Sequence, residues 1–134
     1  MSAENKAIVR RLFEEVINKG NLAVVDEIIA PNLVLHDPTV PGLPGGLEGA
    51  KQIATMVRTG FPDVHYTIED IIAEGDRVVV RFTFRGNHKG DFRGITPTGE
   101  QVTVTGISIY RVVGGKIEED WGVAVRPQTA KPWE

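Results

Sequence analysis

The sequence predicts an α+β fold in which three helices pack on one face of a bent, mainly antiparallel sheet. Apolar residues recur at helical spacing up to Phe61, and from Val64 onward they alternate with polar residues, as they do in strands. Turn residues at 74–76 and 114–115 divide the second half into consecutive strands. Helices grouped before strands are typical of the α+β class, with the helices covering one side of the sheet.

Length and composition favour a single domain spanning residues 1–134. Hydrophobic residues make up 41% and charged residues 25% of the chain, and 18 acidic against 15 basic residues leave a net charge of -3. This balance gives no reason to expect a nucleic-acid partner. No apolar run approaches the roughly 20 residues of a membrane-spanning helix, and the N-terminus lacks the pattern of a signal peptide. Together with the absence of cysteine, this predicts a cytoplasmic protein without a membrane partner.

The first part of the chain predicts two helices and one short strand. Ala3–Asn18 carries an apolar stripe at helical spacing. A second, short helix runs through Ile29 and ends before Pro31, because proline disfavours helical geometry in the residue that precedes it. Leu33–His36 is predicted as a brief strand. Asp37–Gly46 contains three prolines and three glycines and is predicted as a loop.

A third helix and an antiparallel meander complete the predicted fold. Leu47–Phe61 repeats the helical spacing and is closed by Gly60 and Pro62. Four strands follow, at Val64–Ile72, Arg77–Arg85, Gln101–Val113 and Lys116–Val125. In the second of these, four apolar side chains are predicted to share one face: Val78, Val80, Phe82 and Phe84. Residues 126–134 contain two prolines and are predicted to be irregular.

The connection between the second and third strands of the meander carries a motif. Arg85–Gly99 resembles the R-G-T-H-x-G-x-F-x-G-I-x-P-T-G signature of SnoaL-like polyketide cyclases, with Asn87 in place of threonine. Further matches, in the order of that family, stand at 18–21, 35–38, 61–63, 73–78, 110–111 and 115–121. The resemblance implies the strongly curved, cone-shaped α+β barrel that this family shares with nuclear transport factor 2 and ketosteroid isomerase.

The resemblance also implies a function. A mostly apolar cavity between the helices and the sheet would bind an apolar or carbonyl-containing small molecule. Cyclases of this family are understood to use an inward-facing aspartate, assisted by a histidine on the neighbouring strand. The alignment places these two groups at Gly122 and Ser108, and neither residue can act as an acid or base near neutral pH.

Two functions therefore stay open from the sequence. The first is a cofactor-free enzyme, a cyclase or isomerase that acts on a carbonyl substrate such as a polyketide ester. The second is a non-catalytic dimeric module that binds an apolar small molecule. An epoxide hydrolase on the same scaffold would rest on fold analogy alone.

The last two strands present two faces, and alternation alone does not decide which one lines the cavity. One face is small and polar, and it comprises Ser108, Tyr110, Glu118, Asp120, Gly122 and Ala124. The other is larger and more apolar, and it comprises Ile107, Ile109, Ile117, Glu119, Trp121 and Val123. We favour the first as the cavity lining, which leaves the second exposed and predicts a homodimer through the outer face of the sheet. In the opposite assignment Glu119 lies inside the cavity.

Asp120 is the candidate catalytic carboxylate. Burial in an apolar cavity would raise the pKa of its side chain and let it exchange protons near neutral pH. Intramolecular aldol closure needs such a group, which removes a proton α to a carbonyl and then protonates the alkoxide. The alternative is that Asp120 belongs to an exposed acidic run at 118–120. His36, beside Asp37, is the second catalytic candidate, although it could equally cap the end of a strand.

The remaining candidates are substrate contacts. Those predicted from the helices, the meander and the last two strands are Phe13, Met56, Tyr66, Ser108, Tyr110, Trp121 and Glu119. His88, in the signature turn, is predicted to brace that turn. The three histidines are too scattered for a metal-ligand spacing, so the sequence predicts neither a metal nor an organic cofactor.

Overall fold

The computed structural model describes residues 2–36, 42–92 and 96–124 and confirms the predicted α+β fold. The helical elements are α1 at Ser2–Arg11, a π-helical continuation at Leu12–Ile17, a 3-10 turn at Leu22–Val24, α2 at Val25–Ile28 and α3 at Gly46–Gly60. The strands are β1 at Ile29–Leu35, β2 at His65–Glu74, β3 at Arg77–Asn87, β4 at Gln101–Val113 and β5 at Lys116–Ala124. None of the described helices is long and apolar enough to cross a membrane, and the cytoplasmic location stays a prediction.

The five strands form one curved, unclosed sheet in the order β1-β5-β4-β3-β2. Strands β2 to β5 are the predicted antiparallel meander, and β1 joins β5 in parallel, which makes the sheet mixed. The β4–β5 connection uses Gly114 and Gly115, whose φ angles are 58° and 81°. Positive φ at both central residues suits a two-residue hairpin turn, and glycine adopts it without strain.

Strand β1 begins earlier than predicted. The prediction that Ile29 belongs to the second helix is wrong, because β1 starts at that residue and continues through Pro31. Proline is tolerated here because β1 lies at an edge of the sheet and has only β5 as a neighbour. Of the predicted loop and tail, residues 37–41 and 125–134 lie outside the described residues.

The helices cover one face of the sheet, and the core lies between the two layers. The apolar face predicted for β3 is confirmed, with no side chain more than 7% exposed: Val78, Val80, Phe82 and Phe84. The helical layer contributes Val9, Phe13 and Val16, which are almost fully buried. Phe13 belongs to the π-helical segment, and its ring lies 5.6 Å from that of Phe82. The aromatic side chains therefore meet where the first helix crosses the sheet.

A bulge in β5 changes which residues face the helices. Ile117 pairs with Val112 and Glu119 pairs with Arg111, so Glu118 has no partner of its own in the register. Ile117 is consequently buried at 1% exposure, although strict alternation placed it on the outer face. The extra residue shifts the alternation by one position. From Glu119 to Gly122 the predicted alternation holds.

The signature turn packs on the C-terminal end of α3. The backbone N–H groups of Lys89 and Gly90 both donate to the carbonyl oxygen of Gly60, each at 3.1 Å. His88 is 6% exposed, and its ring stacks on Phe61 with 5.2 Å between the centroids. The motif that carries the family resemblance thus joins the helical layer to the end of β3.

Candidate active site

Two pairs of residues on β4 and β5 face the helices. Tyr110 pairs with Asp120, and Ser108 pairs with Gly122, in the antiparallel register of the two strands. Ser108 and Tyr110 are 6% and 4% exposed, which places this side of β4 against the core. Directly paired residues lie on the same side of a sheet, so Asp120 and Gly122 share that side.

Two tyrosine hydroxyl groups lie close enough to Asp120 to interact with its charge. Burial raises the pKa of Tyr110 well above the usual value of a phenol, and the negative charge of Asp120 raises it further. The same two causes, in the same order, raise the pKa of Tyr66. Tyr110 is also hydrogen-bonded to the side chain of Ser108. Both phenols therefore stay protonated at neutral pH and can donate hydrogen bonds.

The backbone of Tyr66 is fixed by Asn18, which follows the π-helical segment. Asn18 Nδ2 donates to the carbonyl oxygen of Tyr66 at 3.0 Å, and the N–H of Tyr66 donates to Asn18 Oδ1 at 2.7 Å. Arg58 of α3 donates to the carbonyl oxygens of Ile17 and Asn18, at 2.8 Å and 2.9 Å. These bonds hold the edge strand β2 against the helices, and so they set the position from which the Tyr66 hydroxyl reaches inward.

Gly122 lies in close contact with Ser108 on the neighbouring strand. A β-carbon placed on Gly122 would lie 3.3 Å from Ser108 Oγ and 3.9 Å from Asp120 Oδ1. Apart from its chain neighbours, no other described atom lies within 4 Å of that point.

His36, Glu119 and Trp121 lie together on the opposite, outer face of the sheet. Leu35 pairs with Asp120, so the next residue, His36, points away from the helices. Its Nε2 is 2.8 Å from Glu119 Oε2, and its ring stacks on the indole of Trp121 with 4.8 Å between the centroids. The two catalytic candidates, Asp120 and His36, are therefore separated by the sheet.

Two arginines that the sequence analysis did not single out complete this outer group. Arg111 Nε donates to Glu119 Oε1 at 2.6 Å, and the guanidinium of Arg77 lies 4.9 Å from the Trp121 ring centroid. The hydrogen bond from His36, followed by that from Arg111, lowers the pKa of Glu119 below its usual value. Their positions on neighbouring strands could have identified these two arginines, because Arg77, Arg111 and Glu119 are consecutive partners across three strands.

Phe13 and Met56 occupy different environments. Phe13 is 2% exposed, and its ring meets that of Tyr110 edge-on at 6.2 Å. Met56 lines an open groove of about 500 Å³ on the exposed side of α3, with Leu43, Glu48, Lys51, Gln52 and Thr55.

The cavity predicted between the helices and the sheet stays a prediction. Within residues 2–36, 42–92 and 96–124, no group of three or more histidine or acidic side chains could hold a metal ion.

Comparison with known families decides the membership of the chain. A family model described as SnoaL-like polyketide cyclase matches residues 7–126. The chain belongs to the SnoaL-like polyketide cyclase family. No curated protein matched the sequence.

Solved structures of SnoaL-like proteins have the same fold. A protein from Jannaschia sp. CCS1, assigned as a SnoaL-like polyketide cyclase, is 27% identical with a TM-score of 0.81, over 92% of this chain and 86% of that one. IdmH from Streptomyces antibioticus, assigned as a polyketide cyclase, is 33% identical with a TM-score of 0.75, over 90% and 91%. AclR from Streptomyces galilaeus, assigned as a hydroxylase, is 29% identical with a TM-score of 0.77, over 93% and 92%.

The positions that the resemblance assigns to the family's aspartate and histidine, Gly122 and Ser108, are direct cross-strand partners on the helix side of the sheet. Two functional side chains at these positions would lie next to each other, as an acid–base pair requires. This member instead has a glycine and a serine there, and Asp120 brings a carboxylate to the same face two residues earlier.

Proposed function

We propose that this protein is a cofactor-free enzyme that removes a proton α to a carbonyl group of a small molecule, as intramolecular cyclisation or isomerisation requires. The observation that carries the proposal is the convergence of Asp120 with the hydroxyl groups of Tyr66 and Tyr110 on the helix-facing side of the sheet. Relatives bear the names of different reactions, so the residues of this chain are the better guide to its chemistry.

Each of these residues has a distinct role in the proposed reaction. Asp120, as the carboxylate, accepts the proton from the carbon next to the carbonyl group. The negative charge then moves onto the carbonyl oxygen, where a hydrogen bond from a neutral phenol stabilises it. Tyr66 and Tyr110 can supply that bond because their raised pKa values keep them protonated. In cyclisation, Asp120 returns the proton to the alkoxide that forms when the new carbon–carbon bond closes.

Exchange of the α-protons of 2-tetralone in D₂O, followed by NMR, tests this proposal without the natural substrate. We expect the wild-type protein to accelerate exchange and Asp120→Asn to reduce the acceleration by about 100-fold or more, as expected for loss of a general base. Asp70→Asn is the matched control, because Asp70 lies on the outer face and pairs with Arg81. Equal exchange rates in the wild type and Asp120→Asn would remove Asp120 from the mechanism.

The second candidate function is a binding module without catalysis. It is favoured by Gly122 and Ser108, which leave the family's acid–base positions without a titratable side chain. In that case 2-naphthol, a fluorescent phenol that is similar in size to 2-tetralone, binds both to the wild type and to Asp120→Asn. Neither protein then accelerates the exchange of the α-protons of 2-tetralone. The exchange experiment therefore separates the two functions.

We further propose that two copies of the chain associate through the outer face of the sheet. All the large apolar side chains that are exposed among the described residues lie on this face: Val34, Ile72, Ile107, Ile109 and Val113. Several charged side chains on the same face are paired with each other, as in Arg81–Asp70 at 2.6 Å and Arg111–Glu119 at 2.6 Å. A second copy would cover this apolar surface, and charged groups that are already paired oppose such burial less than unpaired ones do.

A further inference from the structure

We propose that His36 is a positioning residue that acts through the sheet: from the outer face it holds β5 so that the side chain of Asp120 points toward the helices. This inference rests on the proposed function, because it takes Asp120 as the base. In this role His36 does not touch the substrate, since it lies on the other side of the sheet from the candidate active site.

His36 contacts three consecutive residues of β5. Its backbone N–H donates to the carbonyl oxygen of Asp120 at 2.9 Å. Its Nε2 is 2.8 Å from Glu119 Oε2, and its ring lies parallel to the indole of Trp121 with 4.8 Å between the centroids. An ionised carboxylate only accepts hydrogen bonds, so Nε2 carries the hydrogen of the bond to Glu119. His36 thus holds the backbone of Asp120 and the side chains of the residues before and after it.

The backbone bond shows which neighbouring strand holds Asp120. A strand residue directs its carbonyl group to one side within the sheet, and the carbonyl group of Asp120 is directed to β1. Asp120 and Tyr110 therefore form a non-hydrogen-bonded pair of the antiparallel ladder, in which the two side chains come closest. The position of Asp120 next to Tyr110 consequently depends on the edge strand, whose last residue immediately precedes His36.

The contacts of His36 follow directly on the bulge in β5. Glu118 is the extra residue, and Glu119 resumes the pairing with β4. A shift by one residue would exchange the faces of Glu119 and Asp120, because successive side chains of a strand point to opposite faces. His36 opposes this shift, since its bond to Glu119 and its stacking on Trp121 both require these side chains to point outward.

Two arginines assist His36 from the other side of β5. Arg111 Nε donates to Glu119 Oε1 at 2.6 Å, and the guanidinium of Arg77 lies 4.9 Å from the Trp121 ring centroid. Both arginines hold side chains, whereas His36 also bonds to the backbone of β5. We therefore expect the loss of the His36 side chain to loosen this part of β5 without unfolding the sheet.

Hydrogen–deuterium exchange of 2-tetralone at saturating concentration tests the role. His36→Ala removes the bond to Glu119 and the stacking on Trp121, and it should lower the exchange rate about tenfold, because a slightly misplaced base reacts more slowly. His36→Gln keeps a donor close to the position of Nε2 and should restore the rate to within about threefold of the wild type. The affinity for 2-naphthol should stay within about twofold of the wild type in both variants, as expected when a base is misplaced but binding is kept.

Two control variants keep the comparison specific. His65→Ala also removes an imidazole, because His65 is an exposed residue of β2 with outer-face parity. Val34→Ala removes apolar surface from β1 on the proposed dimer face, where Val34 is 47% exposed. Both should exchange 2-tetralone at the wild-type rate, so a loss confined to His36→Ala is not an effect of altered association.

NMR measures the position of Asp120 without any reaction. The wild type should show a nuclear Overhauser effect between the β-protons of Asp120 and Tyr110, and the backbone amide of His36 should be protected from solvent. In His36→Ala the Overhauser effect should weaken and the protection at position 36 should fall about tenfold, while His36→Gln keeps both. His36→Phe retains the stacking and removes only the hydrogen bond, so it replaces His36→Ala if that variant does not fold, and it should show the same changes to a smaller degree.

The outcomes separate this inference from the proposed function. An unchanged Overhauser effect and amide protection in the folded His36 variants overturn it, whether or not the wild type accelerates exchange. An equal loss of exchange in His65→Ala or Val34→Ala overturns it as well. A wild type that does not accelerate exchange overturns the proposed function, and NMR then still decides whether His36 holds Asp120 in place.

Discussion

Glu119 is held between two basic side chains on the outer face of the sheet. His36 Nε2 and Arg111 Nε lie 2.8 Å and 2.6 Å from its two carboxylate oxygens. The hydrogen bond from His36, and then that from Arg111, keep the pKa of Glu119 below its usual value of 4.5. At the residue scale, the carboxylate nearest in sequence to Asp120 is thus committed to an ion-pair group and is unsuited to act as a base near neutral pH.

This lowered pKa predicts the pH dependence of one contribution to stability. The unfolded chain binds a proton at Glu119 more readily than the folded protein does, so the carboxylate stabilises the fold above about pH 4.5. That contribution is lost as the pH falls through the lower pKa of the folded state. Glu119→Gln should therefore lower the free energy of unfolding at pH 6. This effect should become progressively smaller as the pH falls toward 3, and the pH at which it is lost is defined to about one pH unit.

Urea unfolding of both proteins across this pH range measures the difference. Glu74→Gln is the matched control, because Glu74 is an exposed residue of β2 in the same cross-strand row, and its replacement also removes one negative charge. A deficit of Glu119→Gln that does not change with pH would show that packing, rather than the charge of the carboxylate, accounts for its effect.

At the scale of elements, the signature turn and the end of α3 act as one structural unit. Gly90 donates its backbone N–H to Gly60, and a β-carbon on Gly90 would overlap the carbonyl oxygen of Thr59. Gly60 in turn faces the ring of Phe92, which a side chain on Gly60 would displace. The motif therefore contains glycine where the turn approaches the helix backbone too closely for any other residue.

Gly90→Ala should destabilise the protein by about 1–3 kcal/mol, the usual cost of overpacking that forces the backbone to move. Lys89→Ala is the matched control, since the Lys89 side chain is exposed and its backbone bond to Gly60 is retained. Chemical denaturation of the two variants and the wild type measures the difference. If Gly90→Ala is as stable as Lys89→Ala, the close contact with α3 is not what requires glycine at this position.

At the scale of the whole molecule, the proposed homodimer predicts that a substitution on the outer face of the sheet changes the mass of the assembly without changing the fold of each copy. Ile107→Lys places a charge within the exposed apolar face, where an unpaired buried charge opposes association. We expect this variant to be monomeric at concentrations where the wild type is dimeric, with an unchanged circular dichroism spectrum. Sedimentation equilibrium over a range of protein concentrations measures the mass of both proteins.

Thr55→Lys, on the exposed side of α3, controls for the added charge and should leave the dimer intact. A wild-type protein that is monomeric throughout, or an Ile107→Lys variant that remains dimeric, would contradict association through the outer face.

Periodicity predicted most of the fold because local geometry controls it. Alternation assigned Val78 and Phe84 to one buried face, and the boundaries of β4 agree with those predicted. Ile29 was assigned wrongly because an apolar residue next to a proline fits a helix end and an edge strand equally well. The burial of Ile117 was missed because a bulge leaves no mark in the alternation of the sequence.

The candidate site was predicted less completely, because it depends on which face each strand presents. Asp120, Ser108 and Tyr110 were named from the sequence, and the register brings them to one side. His36 was paired with Asp120 as a catalytic candidate, but it stands on the outer side with Glu119, since the parallel register of β1 and β5 had no signal in the sequence.

The sequence by itself determined the family, the order of the helices and strands, and the types of residue in the candidate active site. It could do so because motifs and periodicity are local properties of the chain. Only the tertiary structure decided that Tyr66 approaches Asp120, that Ser108 opposes Gly122, and that His36 lies across the sheet from them. These relations depend on strand register, on a bulge and on the direction of an edge strand. Each is set by the packing of the helices and strands on one another, which no short stretch of sequence records.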